Sequence, residues 1–240
     1  MLIVGLTGGI ATGKSTASKI LRDEFELPVV DADVIARQVV EPGTAGYKKI
    51  VAHFSPLTPN LLHEDGTLNR PELGKVIFGD EKQRKVLNGI VHPAVRWEMF
   101  KQTMWAWVRG HRMVVLDVPL LFESRLDRFC GVTVAVLCQP ETELERLLKR
   151  DEHLTPELAE QRIASQMSLA DKRARADRVV DNDSDIDALK SQLSSIVHQL
   201  QPNPVLSTLE WLVPPLGGLM AILTAVYRLY IKPKPELKQD

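Results

Sequence analysis

Nine residues near the start of the chain have the types and spacing to hold the phosphates of a nucleotide. Gly8-Gly9-Ile10-Ala11-Thr12-Gly13-Lys14-Ser15, with Thr16 after it, fits G-x-x-x-x-G-K-[ST] without a mismatch. The glycines let backbone N–H groups come close to a phosphate. Lys14 has the reach for the β- and γ-phosphates, and the Ser15 hydroxyl is an oxygen that can ligate Mg²⁺. Such a loop needs a buried strand before it and a helix after it, whose N-terminus adds the positive end of its dipole. Both are predicted here: Leu2-Ile3-Val4-Gly5-Leu6-Thr7 has strand character, and Ala17, Ile20 and Leu21 have helical spacing.

A phosphate loop alone leaves a GTPase switch, an ATPase and a small-molecule kinase open. No guanine-specific N/T-K-x-D follows the fourth or fifth predicted strand. A kinase needs an acid to take the acceptor's hydroxyl proton, cations to cover developing charge and a lid to exclude water. Leu27-Pro28-Val29-Val30 reads as a short buried strand ending at Asp31-Ala32-Asp33. Carboxylates at such a strand end face the ligand crevice of an open α/β sheet, which makes Asp33 the candidate base. The alternative is that Asp33 caps a helix beginning near Val34. Met113-Val114-Val115-Leu116-Asp117 is a third strand ending in an acid. Asp117 either holds Mg²⁺, as a Walker-B acid does, or caps the next turn. Arg146 and Arg150, four apart on one helix face, could clamp phosphates bidentately. Equally, they could lie on a solvated face with Glu143 and Glu145 as partners.

Val132 to Leu137 and Arg178-Val179-Val180 supply a fourth and a fifth strand, and helical patterns separate the strands. This implies a parallel, doubly wound α/β sheet. Thr155-Pro156 has the form of a helix start, an N-cap followed by proline. Residues 44–80 mix helical patches with turns and read as an insert over the sheet edge. Residues 81–109 are predicted helical with a break at His92, because Pro93 suits the first turn of a second helix. His92 is then most simply a helix-start residue. Trp97, Phe100, Met104, Trp105 and Trp107 form an aromatic face, expected in the core, with a wall for a bulky flat ligand as the alternative.

The chain has 240 residues, 44% hydrophobic and 25% charged, which suits a soluble globular α/β domain with appendages. A formal net charge of −1 provides no basic field for nucleic acid. Cys130 and Cys138 are too few for a disulfide framework, so a reducing, cytoplasmic setting is expected. No cleavable leader is expected, since the first strand starts at once.

The motifs taken together resemble the dephospho-coenzyme A kinase family. The resemblance rests on residues 4–15 and on Val30-Asp31-Ala32-Asp33, Gly66-Thr67-Leu68-Asn69-Arg70, His92-Pro93 and Pro119-Leu120-Leu121-Phe122-Glu123. It continues through Arg146, Arg150-Asp151, Arg162-Ile163, Gln166, Ala176-Asp177 and Asn182. The set runs in order over residues 1 to about 200. It implies a P-loop nucleoside-triphosphate kinase fold: a five-stranded parallel sheet flanked by helices, a helical substrate insert at about 34–110 and a lid at about 140–170. It also implies use of ATP and Mg²⁺ to phosphorylate the ribose 3′-hydroxyl of dephospho-CoA, the last step of coenzyme A synthesis. Carried over, Asp33 takes the base position. Arg70 and the 81–109 helices, with His92, fall in the part that holds dephospho-CoA. Arg146 and Arg150 fall in the lid over ATP. Another P-loop small-molecule or nucleotide kinase is the alternative.

The tail departs from the family's minimal pattern, which suits a eukaryotic, fungal member. Pro202 and Pro204 read as a linker. Trp211 to Tyr227 carries no charge, and Arg228, Lys232, Lys234 and Lys238 follow. Residues 211–231 are read first as a membrane contact, spanning or interfacial, at the surface of the endoplasmic reticulum or mitochondrion. A partner-binding helix and packed core are the alternatives. By family analogy the chain also suits a multienzyme assembly for coenzyme A synthesis.

Overall fold

In the computed structural model residues 1–231 are described, with side chains except at 206, 210, 214–216 and 231. The chain runs β1 (Leu2–Gly8), α1 (Lys14–Asp23), β2 (Val29–Asp31), α2 (Ala32–Gln38), α3 (Ala45–Phe54), α4 (Arg70–Phe78) and α5 (Glu81–Val108). It continues β3 (Met113–Asp117), a 3₁₀ turn (Leu126–Phe129), β4 (Val132–Leu137), α6 (Pro140–Arg150), α7 (Pro156–Ala164), α8 (Leu169–Arg175), β5 (Arg178–Asp181) and α9 (Ile186–Leu200). It closes with α10 (Pro204–Leu212), α11 (Pro214–Val226) and a π turn (Tyr227–Ile231). Two compact units result, one of Met1–Val30 with Trp105–Asp240 and one of Asp31–Met104.

The first unit is built on the sheet, ordered β2-β3-β1-β4-β5. The strands that flank β1 are both parallel to it, with Leu6 opposite Asp117 on one side and Gly8 opposite Val136 on the other. β5 pairs parallel with β4, Leu137 opposite Asp181. The C-terminal ends of β1, β3, β4 and β5 therefore share one edge, and β1 sits at the point where the strand order reverses, the usual ligand crevice of such sheets. The central strands β1, β3 and β4 are nearly continuous apolar runs because both faces are covered. On one face, Ala17, Ile20 and Leu21 of α1 and Leu189 and Leu193 of α9 join Val4, Leu6, Val134, Val136 and Val180 in one buried cluster. Each buried Val, Leu or Ile side chain of this cluster stabilises the fold by about 1.5–3 kcal/mol. Thr155 caps α7 through the Leu158 N–H, and Pro156 opens that helix, as its sequence predicts.

The second unit packs Val40, Ile50, Phe54, Leu61, Leu68 and Leu73 into a core of its own, with Val86, Leu87, Ile90 and Val91 against it. Here α5 differs from expectation. It is one helix with Pro93 inside it, not two helices broken at His92. Proline removes one N–H and crowds the carbonyl four residues back, at a cost of about 3 kcal/mol. That position is Gly89, which has no side chain to add to the crowding. Partly buried Val86, Leu87, Ile90 and Val91 before it and buried Met99 and Thr103 after it hold the helix through the proline. His92 is accordingly an exposed mid-helix residue.

The aromatic face was expected in the core and is on the surface. Trp97 is 62% exposed and Phe100 53%, stacked on each other at 5.6 Å. The buried stripe of α5 is instead Met99, Thr103 and Ala106, spaced four and three apart. Trp97, Phe100 and Met104 lie on a different face at their own helical spacing.

The tail is two helices, not one span. α11 starts afresh at Pro214, and no helix among the described residues is long and apolar enough to cross a membrane. The tail is tied back to the rest of the first unit. Trp211 Nε1 donates to the Val108 carbonyl at 3.3 Å. Arg228 donates to the Gly131 carbonyl and to Asp177, whose carboxylate also takes the N–H and hydroxyl of Thr133. Lys232, Lys234 and Lys238 lie outside the described residues.

Candidate active site

Gly8 to Ser15 joins the end of β1 to the start of α1, so α1 aims its N-terminus at whatever the loop holds. The loop's shape is fixed from several sides. Ala11 and Gly13 both adopt the left-handed region, at φ 58° and 92°. Gly13 is required twice, by that conformation and because a Cβ there would run into the Asn182 amide. Thr12 is fully buried, and its hydroxyl donates to the Gly9 carbonyl at 3.0 Å. Gly9 leaves room for its neighbours: a Cβ there would push against the Glu143 carboxyl, Leu169 and Thr12, which would have to shift.

Lys14 is already held at the sheet edge. Its ammonium donates to Asp117 Oδ1 at 2.5 Å, and Asp117, at the end of β3, is only 2% exposed. Asp117 thus faces the loop rather than capping the turn after β3. Ser15 and Thr16 are exposed at the start of α1.

Asn182 connects the loop to the lid. It follows β5, and its amide donates to the Thr12 carbonyl at 2.8 Å. Its own carbonyl accepts from Arg146 Nη1 at 2.8 Å. One residue therefore stands between the loop backbone and the first lid arginine. Arg146 and Arg150 differ in setting. Arg150 is 54% exposed and pairs with its neighbour Asp151, which Arg162 also reaches. The two arginines hold the Asp151 carboxyl below its usual range, chiefly through the Arg150 hydrogen bond. Neither arginine uses Glu143 as a partner. Glu143 turns inward, 3% exposed, on the same α6 face as buried Leu147 four residues on.

Beneath the lid, Lys172 is completely buried. It donates to Glu123 Oε1 at 2.9 Å and to the Pro119 carbonyl at 3.3 Å. Thr7 donates to the same carbonyl at 2.8 Å, and Glu123 also takes the Met167 N–H. The Pro119–Glu123 turn thus joins β1 to α8. Gln166 Oε1 is buried there without a hydrogen-bond partner. Burial pushes the Cys130 thiol up to about 12 and the Cys138 thiol up to about 11, so neither is a nucleophile.

Asp33, Arg70 and His92 belong to the second unit. Asp31, not Asp33, caps α2, accepting the Asp33 and Val34 N–H groups at 2.9 and 3.0 Å. Asp33 is exposed in the first turn, and Arg37 follows at the i+4 position on the same face. Arg70 opens α4, and its guanidinium meets the Arg37 carbonyl at 3.5 Å. Arg37 and Asn182 were absent from the predicted site. The four-residue spacing from Asp33 could have found Arg37; nothing local to Asn182 points to Thr12.

The site thus combines a glycine-bearing loop at a helix N-terminus, a lysine tied to a buried acid and a helix that carries two arginines. The dephospho-CoA kinase family model matches residues 2–188. The chain is 50% identical over 232 residues to the dephospho-CoA kinase CAB5 of Saccharomyces cerevisiae, covering 97% of this chain and 96% of that protein. It is 49% identical over 196 residues to a dephospho-CoA kinase of Bacillus cereus, covering 82% of this chain and 96% of the relative. Among solved structures, TT1252 of Thermus thermophilus superposes with a TM-score of 0.68 at 28% identity, over 84% of this chain and 98% of that one. The dephospho-CoA kinase of Campylobacter jejuni shares the fold, with a TM-score of 0.58 at 23% identity over 83% of this chain and 97% of that one. The chain belongs to the dephospho-CoA kinase family.

Proposed function

We propose that the residues above carry out the family's reaction as follows. The chain is a P-loop kinase that moves the γ-phosphoryl group of ATP to the ribose 3′-hydroxyl of dephospho-CoA, giving coenzyme A and ADP. This is the final step of coenzyme A synthesis. The N–H groups of Gly9 to Ser15 and the Lys14 ammonium bind the triphosphate. Asp33 orients the 3′-hydroxyl and accepts its proton, Arg70 and the region around His92 bind dephospho-CoA, and Arg146 and Arg150 cover charge on the transferred group. The transition state is loose, so orientation and charge matter more than base strength. Ser15, at the start of α1, and Asp117, at the end of β3 and joined to the loop through Lys14, are hard oxygen donors that fit Mg²⁺, which needs few protein ligands when phosphates supply the rest. When bound, Mg²⁺ neutralises phosphate charge.

The observation that carries this reading is the family match, which spans the loop, both proposed ligand regions and the lid. Incubation with ATP, Mg²⁺ and dephospho-CoA, with shikimate and nucleoside monophosphates as competing acceptors, tests it. 3′-Phosphorylation of dephospho-CoA alone is the expected result.

The tail supports a peripheral contact with an intracellular membrane surface. Leu219, Met220, Ile222, Leu223, Val226 and Tyr230 are exposed together while Arg228 stays docked. Flotation with anionic vesicles should carry the wild type up and leave the pair Ile222→Glu, Leu223→Glu behind. If both forms remain at the bottom, the membrane contact is wrong. Sedimentation with other proteins in the absence of lipid would favour the multienzyme assembly instead.

A further inference from the structure

The mechanism above leaves one buried titratable group beside the phosphate loop without a role, and that group is Glu143. It lies in the first turn of α6, and its carboxyl fills the space that Gly9 leaves empty, closed in by Leu169 and Thr12. A triphosphate on the same loop would bring several negative charges close to it, with little water between to screen them.

Lys172 is the cation shown to act on it, and the cations of the neighbouring elements are already engaged. Lys172, on α8, is held by Glu123 and the Pro119 carbonyl. Arg146, on its own helix, donates to the Asn182 carbonyl. Lys14 is tied to Asp117. The Cys138 thiol at the end of β4 and the Asp183 carboxylate, which takes the Gln139 N–H at 2.7 Å, add no positive charge.

We propose that Glu143 is a positioning residue whose neutral, protonated form supports the phosphate loop, so that ATP binding takes up a proton at this carboxyl. Desolvation points the same way: it outweighs the pull of Lys172 and raises the group from 4.5 to about 7. Above that value the free protein carries a carboxylate against Gly9, and ATP must restore its proton. The inference rests on reading Gly8 to Ser15 as the phosphate site.

Titration calorimetry of Mg-ATP into the wild type and Glu143→Gln tests it. The titrations are run at about pH 8, where the nucleotide is itself ionised, in two buffers of different ionisation enthalpy. The wild type should take up a fraction of a proton more than Glu143→Gln. Its ATP affinity should also fall about fourfold relative to the variant between about pH 7 and pH 8.5, as one pKa unit of coupling requires. The amide, which resembles the neutral acid, should leave affinity flat. Equal proton uptake and parallel pH profiles would overturn the proposal, as would an amide variant that binds ATP poorly at every pH. Should Glu143→Gln fail to fold, absence of proton uptake by the wild type overturns it by itself. A wild type that binds no ATP at any pH would instead sink the phosphate-site reading.

Discussion

Lys14 and Asp33 are both charged residues in the first turn of a helix that follows a strand, yet their surroundings have little in common. Lys14 is paired with a carboxylate that is 2% exposed, on a loop gripped by Asn182 from after β5 and packed by Glu143 from α6. Asp33 lies on the exposed first turn of α2, and its helix is capped by Asp31. The donor half is organised by distant, buried contacts, whereas the acceptor half presents its charged groups from capped helix starts. Changes in the first half should therefore disturb ATP binding and folding as well as chemistry, and changes in the second should leave ATP binding and folding intact.

The largest effect expected on the donor side is that of Lys14→Ala. It removes the proposed phosphate contact and leaves Asp117 buried beside the loop without its cation. Steady-state kinetics should show kcat/KM lower by more than about 10³-fold, with ATP affinity reduced as well. An unaltered ATP affinity would break the comparison at its strongest point.

The lid sharpens it. Arg146→Ala should lower kcat by roughly 10- to 10³-fold with a smaller change in ATP affinity. Arg150→Ala, half exposed and paired with Asp151, should cost less. Equal, negligible losses would make both arginines ordinary surface residues.

Asn182→Ala comes next. It removes one buried hydrogen bond to the loop backbone, worth about 1 kcal/mol, so ATP affinity should fall roughly fivefold while the 3′-hydroxyl specificity is kept. Glu143→Gln is the mildest in the native state and is read in pH. A carboxyl raised from 4.5 to about 7 contributes stability that is present below 4.5 and is lost as pH rises through about 7. The wild type should lose on the order of 2 kcal/mol over that window, roughly 4–8 °C in Tm, and the amide should not. Thermal denaturation of both proteins from about pH 5 to 8 checks this.

These contrasts also explain what the sequence reveals. The phosphate loop is legible because its glycines report local backbone geometry, and the strand–loop–helix order around it is periodic. The five strands are legible for the same reason. Asn182 is not, since its partner Thr12 lies 170 residues away and no periodicity joins them. Pro93 indicates a helix end, but packing on both sides of it decides otherwise. Glu143 resembles a solvated partner for Arg146, although Leu147 at i+4 already marks its face as the buried one. The tail looks like a candidate span because apolar composition cannot tell a membrane from a docked helix. What identifies the docking is Arg228, whose partners Gly131 and Asp177 are remote in sequence.

The central claim is that ATP binding and proton acceptance belong to different regions, and Asp33→Asn tests it most directly. Because Asp31 caps α2, the substitution does not touch the cap, and asparagine keeps the shape while removing the proposed proton acceptor. Calorimetry with ATP and a dephospho-CoA phosphorylation assay should be run on the same preparation. The account predicts wild-type ATP affinity together with a rate lower by about 10²- to 10⁴-fold. Turnover near the wild-type rate, or loss of ATP binding along with activity, would contradict it.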